Sequence, residues 1–204
     1  MAHSARVRPI VPHEHLRTSA ERPYARRMPQ TALITADELA RMRDGDEFEL
    51  VRGKLVRVIP PNAPHGRIAV EIGARLLAFV KARGLGTVLG ETGYVVERGP
   101  DTVRGPDVSF VRVRHADLPD TGFIGRAPTL AVEIVSPRNT KRQLLGKAAE
   151  YIAAGAELVW IVDSRKQTAL AITPTGSTEI ARDGVLDGGG TLPGFSLSLA
   201  ELFA

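Results

Sequence analysis

The run Leu158-Val159-Trp160-Ile161-Val162 limits the possible folds more than any other stretch of this chain. No polar residue interrupts it, so a strand built from it is apolar on both faces. Such a strand belongs at the centre of a sheet that is covered on both sides. The covers must come from elsewhere, and two segments have the helical period to supply them. After His65, the residues Ile68, Ile72, Leu76, Phe79 and Val80 recur at helical spacing until Gly84 and Gly86 stop the pattern. A second helix is predicted from Thr140 to Ala154, with Gly155 past its end. Its buried stripe is Leu144, Leu145, Ala148 and Ile152, with Lys147 and Tyr151 one turn apart on the flank.

Shorter signals fill in the rest. Thr35-Ala36-Asp37-Glu38 matches a capping box and predicts a short helix to about Arg43. Phe48–Val51 and Lys54–Ile59 read as a hairpin turning at Arg52-Gly53, ended by Pro60, Pro61 and Pro64. Thr87–Glu91, Tyr94–Glu97, Val103–Val113 and Thr129–Ser136 are rich in Val, Ile and Thr and read as extended pieces. Thr168–Thr173 and Thr178–Arg182 read as further strands, and Ser198–Phe203 as a last helical turn. The order predicts a single α/β domain over residues 31–204, a mixed β-sheet flanked by helices.

Composition excludes several chemistries. The chain of 204 residues contains no cysteine, which removes disulfides, thiolate zinc sites, iron–sulfur clusters and cysteine nucleophiles. No apolar run approaches the ~20 residues of a membrane span, and a cytoplasmic protein is expected. The net charge of +4 is carried by residues 1–30, where six Arg face only Glu14 and Glu21. That segment is expected to be a disordered, solvated arm, or an extension outside the true reading frame; such an arm can also lie along phosphates. His13-Glu14-His15 within it has metal-ligand residue types, but neighbours on a loose tail do not converge on an ion. The chain also lacks the dinucleotide-binding glycine pattern, a phosphate-binding G-x-x-x-x-G-K-[ST] loop, H-E-x-x-H and G-x-S-x-G.

What remains is acid placed where strands want apolar side chains. Asp107 follows Pro106 in Val103-Arg104-Gly105-Pro106-Asp107-Val108-Ser109-Phe110-Val111, and alternation sends it to the face opposite Val108 and Phe110. Glu133 lies inside Leu130-Ala131-Val132-Glu133-Ile134-Val135, opposite in phase to Leu130, Val132 and Ile134. A lone carboxylate in a strand is commonly a half-exposed residue or an ion-pair partner. Two of them converging would repel unless a divalent cation lay between them.

These residues resemble a known family. Phe48-Glu49-Leu50-Val51-Arg52-Gly53, His65 opening a helix, Pro106-Asp107-Val108, Val132-Glu133-Ile134-Val135-Ser136-Pro137, Lys147 through Glu150-Tyr151, and Gly155-Ala156-Glu157-Leu158-Val159-Trp160-Ile161-Val162-Asp163 resemble the Uma-two putative restriction endonuclease family. The resemblance spans about residues 35–203. It implies a branch of the PD-(D/E)XK nuclease superfamily, with a restriction-endonuclease-like core. The superfamily's proline–aspartate falls on Pro106-Asp107 and its second acid on Glu133. Its lysine would fall on Val135, and the family pattern offers Lys147 on the following helix instead.

The resemblance implies an endonuclease that hydrolyses DNA phosphodiester bonds with Mg²⁺, Mn²⁺ serving as a substitute. Asp107, Glu133 and the backbone carbonyl of Ile134 would hold the ion, and Lys147 would complete the catalytic set. Glu49 and His65 are auxiliary candidates: His65 shares a helix face with Ile68 and Ile72, and Glu49 either reaches the ion or faces water. Arg138, Lys141 and Arg142 lie in an acid-free stretch from Ile134 to Ala149 and could meet a phosphodiester backbone, or form a solvated helix face. Trp160 is expected in the core. Val135 at the lysine position keeps a second reading open, a catalytically inactive nucleic-acid-binding or scaffold protein on a nuclease-like fold, and a homodimer is compatible with either.

Overall fold

The computed structural model describes residues 33–137 and 139–204. The Arg-rich segment 1–30, with His13-Glu14-His15, and Arg138 lie outside the described residues. The first element is α1, Ala36–Arg41, where the capping box forms as expected: the Thr35 hydroxyl accepts from the Glu38 amide and the Glu38 carboxylate accepts from the Thr35 amide. β1, Phe48–Val51, and β2, Lys54–Arg57, form the hairpin. Its two turn residues both have left-handed backbones, Arg52 at φ 48° and Gly53 at φ 75°, which matches the twist of the strands.

α2, Ala63–Arg83, begins two residues before the His65 start expected for it, because the Asn62 side chain caps the His65 amide. Pro64 therefore sits in the first helical turn, where its missing N–H costs nothing, rather than terminating the hairpin. At the other end Gly84 takes the left-handed conformation that closes the helix.

Three strands follow: β3, Thr87–Gly90, β4, Tyr94–Glu97, and β5, Thr102–Arg104. The stretch Val103–Val113, expected as one extended piece, is in fact two strands. β5 pairs with β1 and β4 in a four-stranded sheet, whereas β6, Val108–Val111, joins a different, six-stranded one. Gly105 and Pro106 separate them, the proline supplying no ladder donor. The break leaves Asp107 just before the start of β6 and Arg104 at the end of β5.

β7, Leu130–Ile134, α3, Lys141–Ala153, and β8, Leu158–Asp163, form a parallel strand–helix–strand unit. β9, Thr168–Thr173, and β10, Gly176–Ile180, complete the large sheet, whose order is β10-β9-β8-β7-β6-β3. β10 starts two residues ahead of its expected position, since Gly176 at φ 156° continues straight out of the turn. The unbroken apolar run thus occupies an inner strand, and Trp160 is fully buried as expected. A short hairpin of β11, Val185–Asp187, and β12, Ser196–Ser198, was not legible in the sequence; it leads into α4, Leu199–Leu202.

α2, the β11–β12 hairpin and α4 cover one face of the large sheet, enclosing Ile68, Ile72, Leu76, Phe110, Leu130, Val132 and Trp160. α3 covers the other face with Leu144, Ala148 and Tyr151 over Ala131, Val159 and Ile161. The buried stripe of α3 is therefore rotated from the one expected. Leu145 is exposed and Ile152 half-buried, while Tyr151 is wholly enclosed. That rotation turns Lys147 toward the sheet.

Candidate active site

Asp107 and Glu133 meet across two neighbouring antiparallel strands. β6 pairs with β7 at Val108↔Val132, so one step further along the register sets Asp107 opposite Glu133. Asp107, at the mouth of β6, is half-buried; its Oδ2 accepts the Ile134 amide at 2.6 Å. His65 Nε2 lies 3.3 Å from the same oxygen, so the histidine does point to the sheet, as its place on the α2 face predicted. The Asp107 hydrogen bond raises the His65 pKa, burial opposes this, and the charges of Asp107 and Glu133 add to the rise.

Glu133 is almost completely enclosed, its side chain 5% exposed. The Tyr151 hydroxyl donates to its Oε1 at 2.9 Å, and Lys147 Nζ lies 3.3 and 3.2 Å from its two oxygens. Burial, with the charges of Asp107 and Glu49 assisting, pushes the Glu133 pKa up to about 7 against the pull of Lys147 and Tyr151. Burial alone would lower Lys147, but Glu133 and Glu49 override it and the ammonium is held above its usual range. Both shifts favour the protonated forms, so the lysine keeps its charge and Glu133 is the carboxylate held closest to neutral.

Glu49 does not face water. It is buried on β1, and Lys147 Nζ reaches its Oε1 at 2.8 Å, closer than it comes to Glu133. Burial would raise the Glu49 pKa; the charges of Lys147 and Arg104 reverse this and hold it below the ordinary value. Lys147 is thus bound between two carboxylates from two different sheets, which the flank position alone could not have revealed.

Arg104 is the charged neighbour that sequence reasoning missed. Its Nη1 donates to Glu49 at 2.8 Å, and its Nε and Nη2 form a two-pronged pair with Glu150 at 2.6 and 3.1 Å. Burial acts to lower the Arg104 pKa, but its bonds to Glu150 and the charge of Glu49 hold it above its usual value. The available signal was an arginine inside the buried strand Thr102–Arg104, since a cation there requires an acid partner.

Lys141 and Arg142 are exposed in the first turn of α3. Lys141 lines one side of a groove of about 530 Å³ with Val135, Leu144, Ile161 and Lys166. Val135 shares the α3-facing side of β7 with Glu133, so the groove opens next to the acidic cluster. Among the described residues no three Asp, Glu or His side chains are grouped as ligands of one ion. A metal here would therefore rest on Asp107 and Glu133 with the Ile134 carbonyl. Those donors are all oxygen, Asp107 and Glu133 come from facing positions of neighbouring strands, and magnesium takes few protein ligands, so the residues fit such an ion.

The chain matches the Uma2 family model, described as "Putative restriction endonuclease", over residues 36–200. No curated protein matches it. Among solved structures it is similar to a "putative nuclease belonging to DUF820" from Anabaena variabilis, at 22% identity. That match covers 83% of this chain and 97% of the other, with a TM-score of 0.71, and at such identity the likeness is one of fold. The expected mixed sheet between helices is therefore the observed architecture, and no helix among the described residues is long and apolar enough to cross a membrane.

Proposed function

The chain belongs to the Uma2 family, and on that footing we propose that it is a metal-dependent endonuclease that hydrolyses DNA phosphodiester bonds at Asp107, Glu133 and Lys147. The observation that carries this reading is the position of Lys147. Its ammonium lies 3.2 Å from Glu133 although it comes from a helix, which supports Lys147 as the cation that Val135 fails to supply.

Each residue has a task that its contacts support. Asp107 is oriented by the Ile134 amide and by His65, both on its Oδ2. Glu133 is oriented by the Tyr151 hydroxyl. A Mg²⁺ ion held by Asp107, Glu133 and the Ile134 carbonyl, or Mn²⁺ in its place, would acidify an attacking water and offset charge on the phosphate. Lys147 adds a fixed positive charge beside the same phosphate, where charge grows during attack. Glu49 keeps that ammonium in place, and Lys141, Arg142 and Arg138 would hold the flanking DNA backbone.

The test is conversion of supercoiled plasmid to nicked or linear forms with Mg²⁺ or Mn²⁺, stopped by chelation. Asp107→Ala should abolish cleavage while the domain stays folded, and Lys147→Ala should lose most activity. Cleavage by Lys147→Ala equal to the parent would remove the lysine from the mechanism. A parent that binds DNA without metal-dependent cleavage would leave a binding or scaffold protein on a nuclease fold.

A further inference from the structure

Five charged side chains run through the candidate site with alternating sign: Glu150, Arg104, Glu49, Lys147 and Glu133. They join α3, β5, β1 and β7, and every link but the last is 2.8 Å or shorter. The last link, from Lys147 to Glu133, is the long one at 3.2 Å. Lys147 therefore has two seats within reach of one ammonium, and it already leans toward Glu49.

The two seats differ in what else can occupy them. Glu49 Oε2 is taken by Arg104 and its Oε1 also accepts the Gly105 amide at 3.2 Å, so Glu49 is fixed and committed to the chain. Arg104 is itself fixed by the two-pronged bond to Glu150. Glu133, by contrast, is paired among the described residues only with Lys147 and Tyr151, next to Asp107. A buried carboxylate of this kind needs a counter-charge to stay ionised. A divalent ion on the same carboxylate would repel a cation a few ångströms away.

We propose that Lys147 is a built-in counter-cation for Glu133 that gives up its longer contact there to a divalent ion and stays on Glu49, which Arg104 holds in place. This rests on the reading of Asp107 and Glu133 as metal carboxylates. The second seat keeps the ammonium inside the site after it is displaced, so neutralisation of the empty site and stabilisation of the phosphate fall to one side chain in turn.

The proposal is tested with Mn²⁺ alone, titrated into the full chain without nucleic acid by calorimetry and electron paramagnetic resonance. Folding of each variant is checked by circular dichroism. Lys147→Gln should bind Mn²⁺ at least ~10-fold more tightly than the parent, because the competing cation is gone. Lys147→Met, which keeps the apolar stem, should do the same where the Gln variant folds poorly. Lys166→Gln removes an exposed charge that touches neither carboxylate, and should change affinity by less than ~2-fold. Glu49→Gln should weaken Mn²⁺ several-fold by leaving Lys147 only Glu133 to hold. The double variant Lys147→Gln/Glu49→Gln should return to the tight binding of Lys147→Gln alone.

Lys147→Gln binding no more tightly than the parent, or matched by Lys166→Gln, overturns the proposal. A Glu49→Gln defect that persists in the double variant also overturns it, since Glu49 would then be a metal ligand and not a lysine seat. If neither the parent nor the Lys147 variants bind Mn²⁺, the metal reading falls and this inference with it. Mn²⁺ bound by Lys147→Gln and not by the parent would be its most direct support.

Discussion

The two faces of β7 carry the same strand into opposite physical regimes. On the α2 side, Leu130, Val132 and Ile134 join Phe110, Trp160, Ile68 and Leu76 in a core of apolar side chains. On the α3 side, Ala131 joins Val159, Leu144, Ala148 and Tyr151, but one step along the same face stands Glu133 with its lysine and tyrosine. The difference is one of division of labour. The α2 face gains stability by removing apolar area from water. The α3 face spends some of it by crowding Asp107, Glu133 and Glu49 together. A buried charged cluster is sustainable here because the other face of the same strand stabilises the sheet independently.

That comparison makes the apolar face the place for the largest effect. Trp160 is fully buried on the α2 side, its ring stacked on Phe195 at 5.7 Å between centroids. Trp160→Ala should cost about 3–5 kcal/mol, read as a lowered urea midpoint. The loss should be the same at every pH between 5 and 8, and cleavage per folded molecule should stay near that of the parent. A pH-dependent loss would mean that the two faces are not separable.

Glu133→Gln should behave in the opposite manner. The Glu133 pKa is raised in the folded protein to about 7 from the ordinary carboxyl value of 4.5. The folded state therefore binds more protons than the unfolded one in that window, and this group's contribution falls as pH rises through it. Its burden is fully developed above about pH 7 and absent below about 4.5. Glutamine carries no charge, so the variant should gain on the parent between pH 5 and pH 8 by up to about 3 kcal/mol, on the order of 1.4 kcal/mol per pH unit of displaced titration. Paired urea titrations at the two pH values measure it. A difference that is flat with pH would make Glu133 an ordinary ion-pair partner.

The sequence revealed these two faces unequally. The α2 face was readable because Ile68, Ile72 and Leu76 repeat at helical spacing and β8 has no polar break, signals that burial itself imposes. Asp107, Glu133, Lys147 and His65 could be picked out because each violates its local pattern or completes a family motif. The chain through Arg104 could not, since Val103–Val113 reads as continuous until Gly105 and Pro106 divide it between two sheets. The pairing of Arg104 with Glu49 and Glu150 spans 55 and 46 residues, and no local pattern encodes a contact of that range. The β11–β12 hairpin stayed invisible for the same reason: its strands are short, and only packing under α2 and α4 makes Leu186 and Leu197 core residues.

The smallest effect is the sharpest discriminator between the faces. Tyr151 is fully buried and its ring packs with Ala131, Ala148 and Val159, so by area it is a core residue like Trp160. Its hydroxyl, however, donates to Glu133 Oε1 at 2.9 Å. Tyr151→Phe keeps the ring and removes only that donor. A hydrogen bond to a charged acceptor is worth about 1.5–3 kcal/mol and one to a neutral acceptor about 1 kcal/mol. The cost of Tyr151→Phe should therefore be about 1 kcal/mol larger at pH 8.5, where Glu133 is ionised, than at pH 5.5, where it is largely protonated. The sign follows from the donor: the hydroxyl lowers the Glu133 pKa, so without it the folded-state value rises further and more stability is lost as pH climbs through about 7. Urea unfolding of parent and variant at the two pH values, set against Trp160→Ala at the same two, measures the contrast directly. Equal costs at both pH values would make Tyr151 a packing residue alone, and the α3 face would then differ from the α2 face only in the ions at its end.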